Sequence, residues 1–269
     1  MKKLIFLCLM MLLCLPLAAY GTGVGGPSTN GQFKLSIGLD NDYVFNRDMK
    51  LKSISVPVEE NGNGNGNGTP GCEIKNMYRT MLNVGFGIFD FLDVYVKLGA
   101  ADYKFKSDLY DPLTGTYEGE LKANTKWGFA YGAGLKGAYT FNNGPVKGLI
   151  IGGDVQYLRH KQKYRDKFTD AVTSEVFPSK GKVTLQEWQV GPFVGYKIMN
   201  FIPYVGVKYS DVRLKFKAED VAYKSKFKAD DHFGVFVGLT YEVIPQLKLN
   251  LEGRFIDETG FNFNVIFKF

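Results

Sequence analysis

The sequence predicts an all-β fold: a transmembrane, antiparallel, up-and-down β-barrel of about ten strands, with eight as the lower count. Three observations carry that prediction. Apolar and polar residues alternate with period two along most of the chain, down to its last segment, GFNFNVIFKF. No stretch beyond Leu15 is long and apolar enough for a membrane helix, so any membrane segment must be a strand. The connections between alternating segments are short and long in turn.

The chain opens with MKKLIFLCLMMLLCLPLAA, two lysines before an apolar run from Leu4 to Leu15 and small residues after it. That is the pattern of a secretory leader over residues 1–19, cleaved after Ala19 or Gly21. Residues 20–31, containing GTGVGGPSTNG, read as a flexible periplasmic lead. Residues 32–269 carry the barrel. The formal charge is +6, from 33 Lys and Arg against 27 Asp and Glu; without Lys2 and Lys3 it is 31 against 27, or +4. So mild a balance gives no reason to expect nucleic acid. Cys8 and Cys14 fall in the leader, which leaves Cys72 and no disulfide framework. The two histidines and Cys72 lie far apart with no ligand spacing, so neither a metal nor a cofactor is expected.

Ten strands follow from the alternation. The first, about Gln32–Phe45, sets Phe33, Leu35, Ile37 and Leu39 against Lys34, Ser36 and Asp40. The second, Lys75–Phe89, sets Leu82, Val84, Phe86 and Ile88 against Arg79 and two glycines. The third, Asp93–Phe105, sets Val94, Val96 and Leu98 against Tyr95 and Lys97. The fourth, Thr125–Phe141, sets Trp127, Phe129, Tyr131 and Leu135 against Gly132, Gly134 and Lys136. The fifth, Lys147–Lys161, opposes Leu149, Ile151 and Val155 to Asp154 and His160. The sixth, Val183–Ile198, opposes Trp188, Val190 and Val194 to Glu187, Gln189 and Lys197, and Pro192 predicts a bulge within it. The seventh, Ile202–Lys217, starts with Val205, Val207 and Tyr209 outward, then shows a phase slip near Ser210, after which Val212, Leu214 and Phe216 form the apolar face. The eighth, His232–Val243, and the ninth, Gln246–Ile256, are regular, with Glu242 and then Lys248, Glu252 and Arg254 on their polar faces. The tenth is the terminal strand, with Phe261, Phe263, Val265, Phe267 and Phe269 on one parity.

Short turns at IFDFLD, FNNGPVK, KIMNFIP and EVIPQ alternate with long polar loops near 46–74, 106–123, 162–182 and 217–230. In an outer-membrane barrel the short turns are periplasmic and the long loops extracellular, which puts both chain ends in the periplasm and the Asn61–Gly68 repeat outside the cell. A soluble lipocalin-like barrel would hold the apolar face inside. Charges able to pair across a narrow bore, and the strand-end aromatics Trp188, Tyr241, Phe267 and Phe269, turn the apolar face toward lipid instead.

The leader, the even run of amphipathic strands and the terminal FNFNVIFKF resemble the small outer-membrane β-barrel family of Gram-negative bacteria, the opacity and OmpA/OmpX-type barrels. In that family a terminal strand ending in Phe is read by the barrel-assembly machinery. The resemblance therefore implies an assembly signal at Phe263, Val265, Phe267 and Phe269, and a location in the outer membrane. The expected partners are outer-membrane lipid, lipopolysaccharide and the assembly machinery.

The candidate bore residues are Lys34, Arg79, Lys97, Lys136, Lys197, Lys208, Lys248 and Arg254 against Asp40, Asp42, Asp154, Glu187, Glu242 and Glu252. Buried charges need partners, so these predict an ion-paired plug; charge rings also tune narrow pores. The function expected is structural, surface-interacting or that of a narrow pore, without catalysis. The alternative is a protease at the extracellular rim: ten-stranded omptin-type enzymes carry acidic residues and an Asp/His pair there. Asp230 and His232, at i and i+2, would then both face inward, with Asp40 and Asp42 as a second acidic group. Lys161, Lys163, Arg165 and Lys167, and likewise Lys224, Lys226 and Lys228, alternate in two loops, as ordinary solvated charge or as contacts to lipopolysaccharide phosphate.

Overall fold

A computed structural model describes Gly23 and residues 26–55, 71–110, 117–170, 176–218 and 224–269. They form twelve strands: β1 (Leu35–Ser55), β2 (Gly71–Phe89), β3 (Leu92–Tyr110), β4 (Tyr117–Asn124), β5 (Gly128–Thr140), β6 (Leu149–Asp170), β7 (Val176–Tyr196), β8 (Phe201–Ala218), β9 (Lys224–Ala229), β10 (Phe233–Ile244), β11 (Leu247–Phe255) and β12 (Thr259–Lys268). Every pairing is antiparallel. The sheet closes on itself, because β12 bonds both β11 and β1 while β10 bonds both β8 and β11.

The count of twelve corrects the expected ten. β4 and β5 both lie between β3 and β6, with a break at residues 125–127, and β9 and β10 both run along β8, with a break at residues 230–232. The polar sequences of β4 and β9 read as loop because they lack an outward apolar face. For the same reason the described residues of the expected loops 46–74, 106–123, 162–182 and 217–230 are almost all strand. Residues 56–70, 111–116, 171–175 and 219–223, which join the strands at that end, lie outside the described residues, and with them the Asn61–Gly68 repeat. We call that end of the ring the loop end, and the other, with the short connections at 90–91, 141–148, 197–200 and 245–246, the turn end.

The sheet has two sections of opposite polarity. Over the turn-end section the outward residues are apolar and exposed, as in Phe201, Val205, Val207 and Tyr209 of β8 or Tyr139, Leu135, Tyr131 and Phe129 of β5. Aromatics mark both borders of this belt: Phe86, Tyr139, Phe201 and Tyr241 on the turn side, Tyr43, Phe129, Trp188 and Tyr209 on the loop side. From Tyr139 to Phe129, at about 3.3 Å per residue and a strand tilt of about 40°, the belt is about 25 Å tall. Beyond it the pattern inverts. Outward positions become Lys161 and Lys163 on β6 or Lys215 and Lys217 on β8, while Val183, Leu185, Val212, Leu214, Phe216 and Phe227 point inward as a buried apolar cluster.

The expected phase slip at Ser210 is therefore absent. Ile202 through Phe216 keep even residues inward without interruption; the chemistry changes while the backbone phase is held. The bulge expected at Pro192 is absent too. Gly153 pairs Pro192 in unbroken register, and the ladder to β8 merely skips from Val190 to Phe193. Proline lacks an N–H, so it loses a rung without adding a residue.

The ends of the described chain are both tied to the ring. Residues 26–31, expected as a flexible lead, sit in the turn-end mouth: the Asn30 N–H donates to the Asp93 carboxylate at 2.8 Å, and the Gln32 N–H donates to Asp90 at 3.0 Å. The Phe269 N–H donates to the Leu35 carbonyl at 2.9 Å.

Candidate functional site

The bore is filled by charged and polar side chains in layers. Its centre is a fully buried ion-pair network. Arg79 donates Nε to Asp42 at 2.7 Å and Nη1 to Glu187 at 2.7 Å. Arg47 reaches Glu187 at 2.9 Å and also contacts Glu258. Lys208 holds Asp257 at 3.0 Å and pairs with Glu258. Arg254 contacts Asp42 and lies 3.2 Å from Glu258. Each guanidinium is shared between at least two carboxylates, which is what charges removed from water require.

Nearer the turn end, Lys97 pairs with Asp40 at 2.6 Å and donates to Gln156 at 3.2 Å. Two tyrosines reach across the bore: the Tyr95 hydroxyl donates to Asp154 at 2.8 Å and that of Tyr204 to Glu252 at 2.9 Å. Glycines make room for both rings. Gly134 stands opposite Tyr95 and Gly238 opposite Tyr204, and a Cβ on either glycine would lie within 2.4 Å of a ring atom. An aromatic laid over a cross-strand glycine packs a thin ring tightly.

The lead closes the turn end. Lys136 donates to the Gly26 carbonyl at 3.4 Å, Lys268 donates to that of Thr29, and Gly23 packs against Glu252 and Asn262. Beside the lead a cavity of about 430 Å³ opens, lined by Pro27, Lys197, Glu242 and Lys248 among others. There Glu242 binds Lys197 at 2.6 Å and also Lys248. At the loop end the apolar cluster draws inward side chains from β1 to β4 and β6 to β9. Between the two closures lie buried polar groups with no partner among the described residues: both ring nitrogens of His160, both amide atoms of Gln189, and Nε2 of Gln156.

Of the residues singled out from the sequence, Asp40, Arg79, Lys97, Lys136, Asp154, Glu187, Lys248, Glu252 and Arg254 are buried in the bore, and Lys197 and Glu242 sit at its turn-end mouth. Lys34 is exposed outside it, in the turn before β1. Asp230 and His232 do not face inward. They occupy the break between β9 and β10, where the Asp230 N–H still donates to the Asp48 carbonyl and the His232 carbonyl accepts from Ser210 N–H. Asp230 is exposed and pairs with Lys50. The His232 Nδ1 lies 2.8 Å from the Ser210 carbonyl, and its ring stacks on Tyr209 with centroids 5.5 Å apart. Asp40 and Asp42 are committed to Lys97, Arg79 and Arg254. His232 and Asp230 therefore bind different partners, the Ser210 carbonyl and Lys50. Phe263, Val265 and Phe267 share the outer face of β12, which is hydrogen-bonded on both sides, and Phe269 follows its last residue.

Comparison of the structure with solved structures returns the outer membrane protease OmpT from Escherichia coli, with a TM-score of 0.51 and 13% identity over 92% of this chain and 97% of that one. The fold is the antiparallel β-barrel. Identity so low shows the fold alone. The Pseudomonas putida toluene transporter TodX is also returned, at a TM-score of 0.39 and 8% identity, over 93% and 94% of the two chains. No family model and no curated protein sequence matches this chain, so the likeness to opacity and OmpA/OmpX-type barrels stays a resemblance.

Three members of the barrel's central network escaped the sequence reading. Arg47 turns inward only because the ladder to β12 skips Phe45 between Val44 and Asn46, so the odd residues face the bore beyond it. Asp257 and Glu258 belong to a short connection that folds into the bore, where they are 4% and 1% exposed. A usable signal for the acidic pair was present: a short connection at the loop end, flanked by Arg254 and carrying adjacent carboxylates, has no length to reach solvent.

Proposed function

We propose that this protein is an integral outer-membrane barrel with a plugged bore and a structural or surface-interacting role, neither an open pore nor a protease. The observation that carries this reading is the pairing of an exposed apolar belt, bordered by aromatics, with an interior of fully buried ion pairs. An outward apolar surface of this height suits lipid, and a closed ring leaves no backbone edge unsatisfied there. The loop end is then extracellular and the turn end periplasmic. The lead blocks the periplasmic mouth and the apolar cluster the extracellular one. The orphan groups of Gln156, His160 and Gln189 between them call for enclosed water, since buried polar atoms are otherwise satisfied.

The test has three readouts on refolded full-length protein. Insertion into lipid vesicles with heat-modifiable gel mobility is expected, and failure to insert overturns the membrane reading. In planar bilayers conductance should stay near baseline, and a steady ohmic current overturns the plug. Peptide cleavage should be absent; cleavage lost on His232→Ala with the fold intact revives the protease.

A further inference from the structure

The chain's small net charge hides a segregated one. Outside the barrel, just beyond the loop-side aromatics, basic residues stand directly opposite one another on neighbouring strands: Lys182 faces Lys217, Lys215 faces Lys226, and Arg213 faces Lys228. Directly opposed side chains have Cβ atoms only about 5 Å apart, and like charges so placed destabilise a sheet. Arg213 is drawn to Asp211 at 2.6 Å. Lys215, Lys217, Lys226 and Lys228 have no acidic partner among the described residues, and β8 and β9 carry them outward. A face of water-exposed strand does not need this arrangement, since Glu in place of every second Lys would be more stable and as soluble.

We infer that this face is a docking surface for the phosphorylated headgroups of outer-leaflet lipopolysaccharide. The inference rests on the outer-membrane reading above. Position selects this partner. Arg213 to Lys217 stand four to eight residues beyond Tyr209, which places them about 10–20 Å above the lipid belt. They point sideways, toward whatever surrounds the barrel at that height, and in an outer leaflet that is the phosphate-bearing sugar layer. Basic side chains beside an anionic lipid surface gain attraction that falls off within a Debye length, so the proximity is essential. Phosphates lodged between the strands would also relieve the repulsion within the row.

The experiment compares wild type with the quadruple variant Lys215→Gln, Lys217→Gln, Lys226→Gln, Lys228→Gln, both refolded in detergent and checked for heat-modifiable mobility. The probes are purified lipopolysaccharide and the same material enzymatically dephosphorylated. Lipopolysaccharide should co-elute with wild type and raise its melting temperature, while the dephosphorylated form should do neither. The variant should bind at least about tenfold more weakly. Without lipopolysaccharide it should melt no lower than wild type, because the repulsion is gone. The matching Lys→Arg variant should bind like wild type. Equal binding by wild type and the Gln variant, or equal binding of the dephosphorylated form, overturns the proposal. So does stabilisation by heparin fragments but not by lipopolysaccharide, which would point to a soluble polyanion. Vesicle insertion measured on the same samples separates this failure from failure of the membrane reading.

Discussion

Val205→Arg tests the belt most directly. Val205 lies midway between Phe201 and Tyr209 on β8, and is 47% exposed, opposite Val194 on one side and Val237 on the other. Four residues at about 3.3 Å and a tilt of about 40° put it about 10 Å from either border, near the middle of the bilayer. An arginine there should cost about 2–4 kcal/mol, a large share of ordinary folding stability of about 5–15 kcal/mol. Two companions on the same strand calibrate the result. Lys215→Ile also faces outward but above the belt, and should change stability by no more than about 0.5 kcal/mol. Leu214→Ala, fully buried in the loop-end cluster, should cost about 2–5 kcal/mol. The assay is urea unfolding of vesicle-inserted protein, followed by tryptophan fluorescence and gel mobility. A neutral Val205→Arg in inserted protein would refute the lipid-facing assignment, because only a water-facing valine accepts arginine without loss. A neutral Leu214→Ala would refute the apolar closure.

Cys72 is 3% exposed inside the loop-end cluster, so maleimide should leave it unlabelled in the folded barrel and label it in urea; rapid labelling of folded protein contradicts that packing. An epitope at Asn65, between β1 and β2, should be detected on intact cells, whereas detection only after permeabilisation inverts the orientation. Deleting Phe269 removes the N–H bonded to Leu35 and an edge residue of the closing strand. Outer-membrane levels of heat-modifiable protein should fall, and unchanged levels remove the terminal assembly signal.

The closed sheet was legible because period two survives along nearly every strand, and Asp40, Arg79 and Glu187 could be placed on one face by parity alone. Where parity held but chemistry changed, the reading failed. At Ser210 the switch from outward Val205, Val207 and Tyr209 to inward Val212, Leu214 and Phe216 read as a slip, because hydrophobic residues were assumed to keep one side. They keep the side away from water, and on the outer-membrane reading that side changes where the strand leaves lipid. The alternating Lys161, Lys163 and Lys224, Lys226, Lys228 were strand signals of the same kind, taken for loop because the periodic residue was charged. Arg47 and Glu258 depended on a skipped residue and on the direction of a turn, which local periodicity does not encode. The lead was unreadable for another reason: its Gly and Ser are soft locally, and it is held by Asp90, Asp93 and Lys136, distant in sequence.

The inverted polarity of the loop-end section also constrains how the molecule can be made. If the loop end is outside the cell, every lysine on its outer face began on the inner side of the bilayer and had to traverse it. An unassisted passage through the hydrocarbon centre costs about 2–4 kcal/mol for each such residue. For the paired row on β7, β8 and β9 alone this sums to tens of kcal/mol if the strands cross together, although the finished product is stable on both sides. The obstacle is kinetic and leaves no mark on the final state. Spontaneous insertion should therefore be slow in thick bilayers and much faster in thin ones, and a catalyst of assembly would act chiefly by offering these lysines a route that avoids the lipid interior.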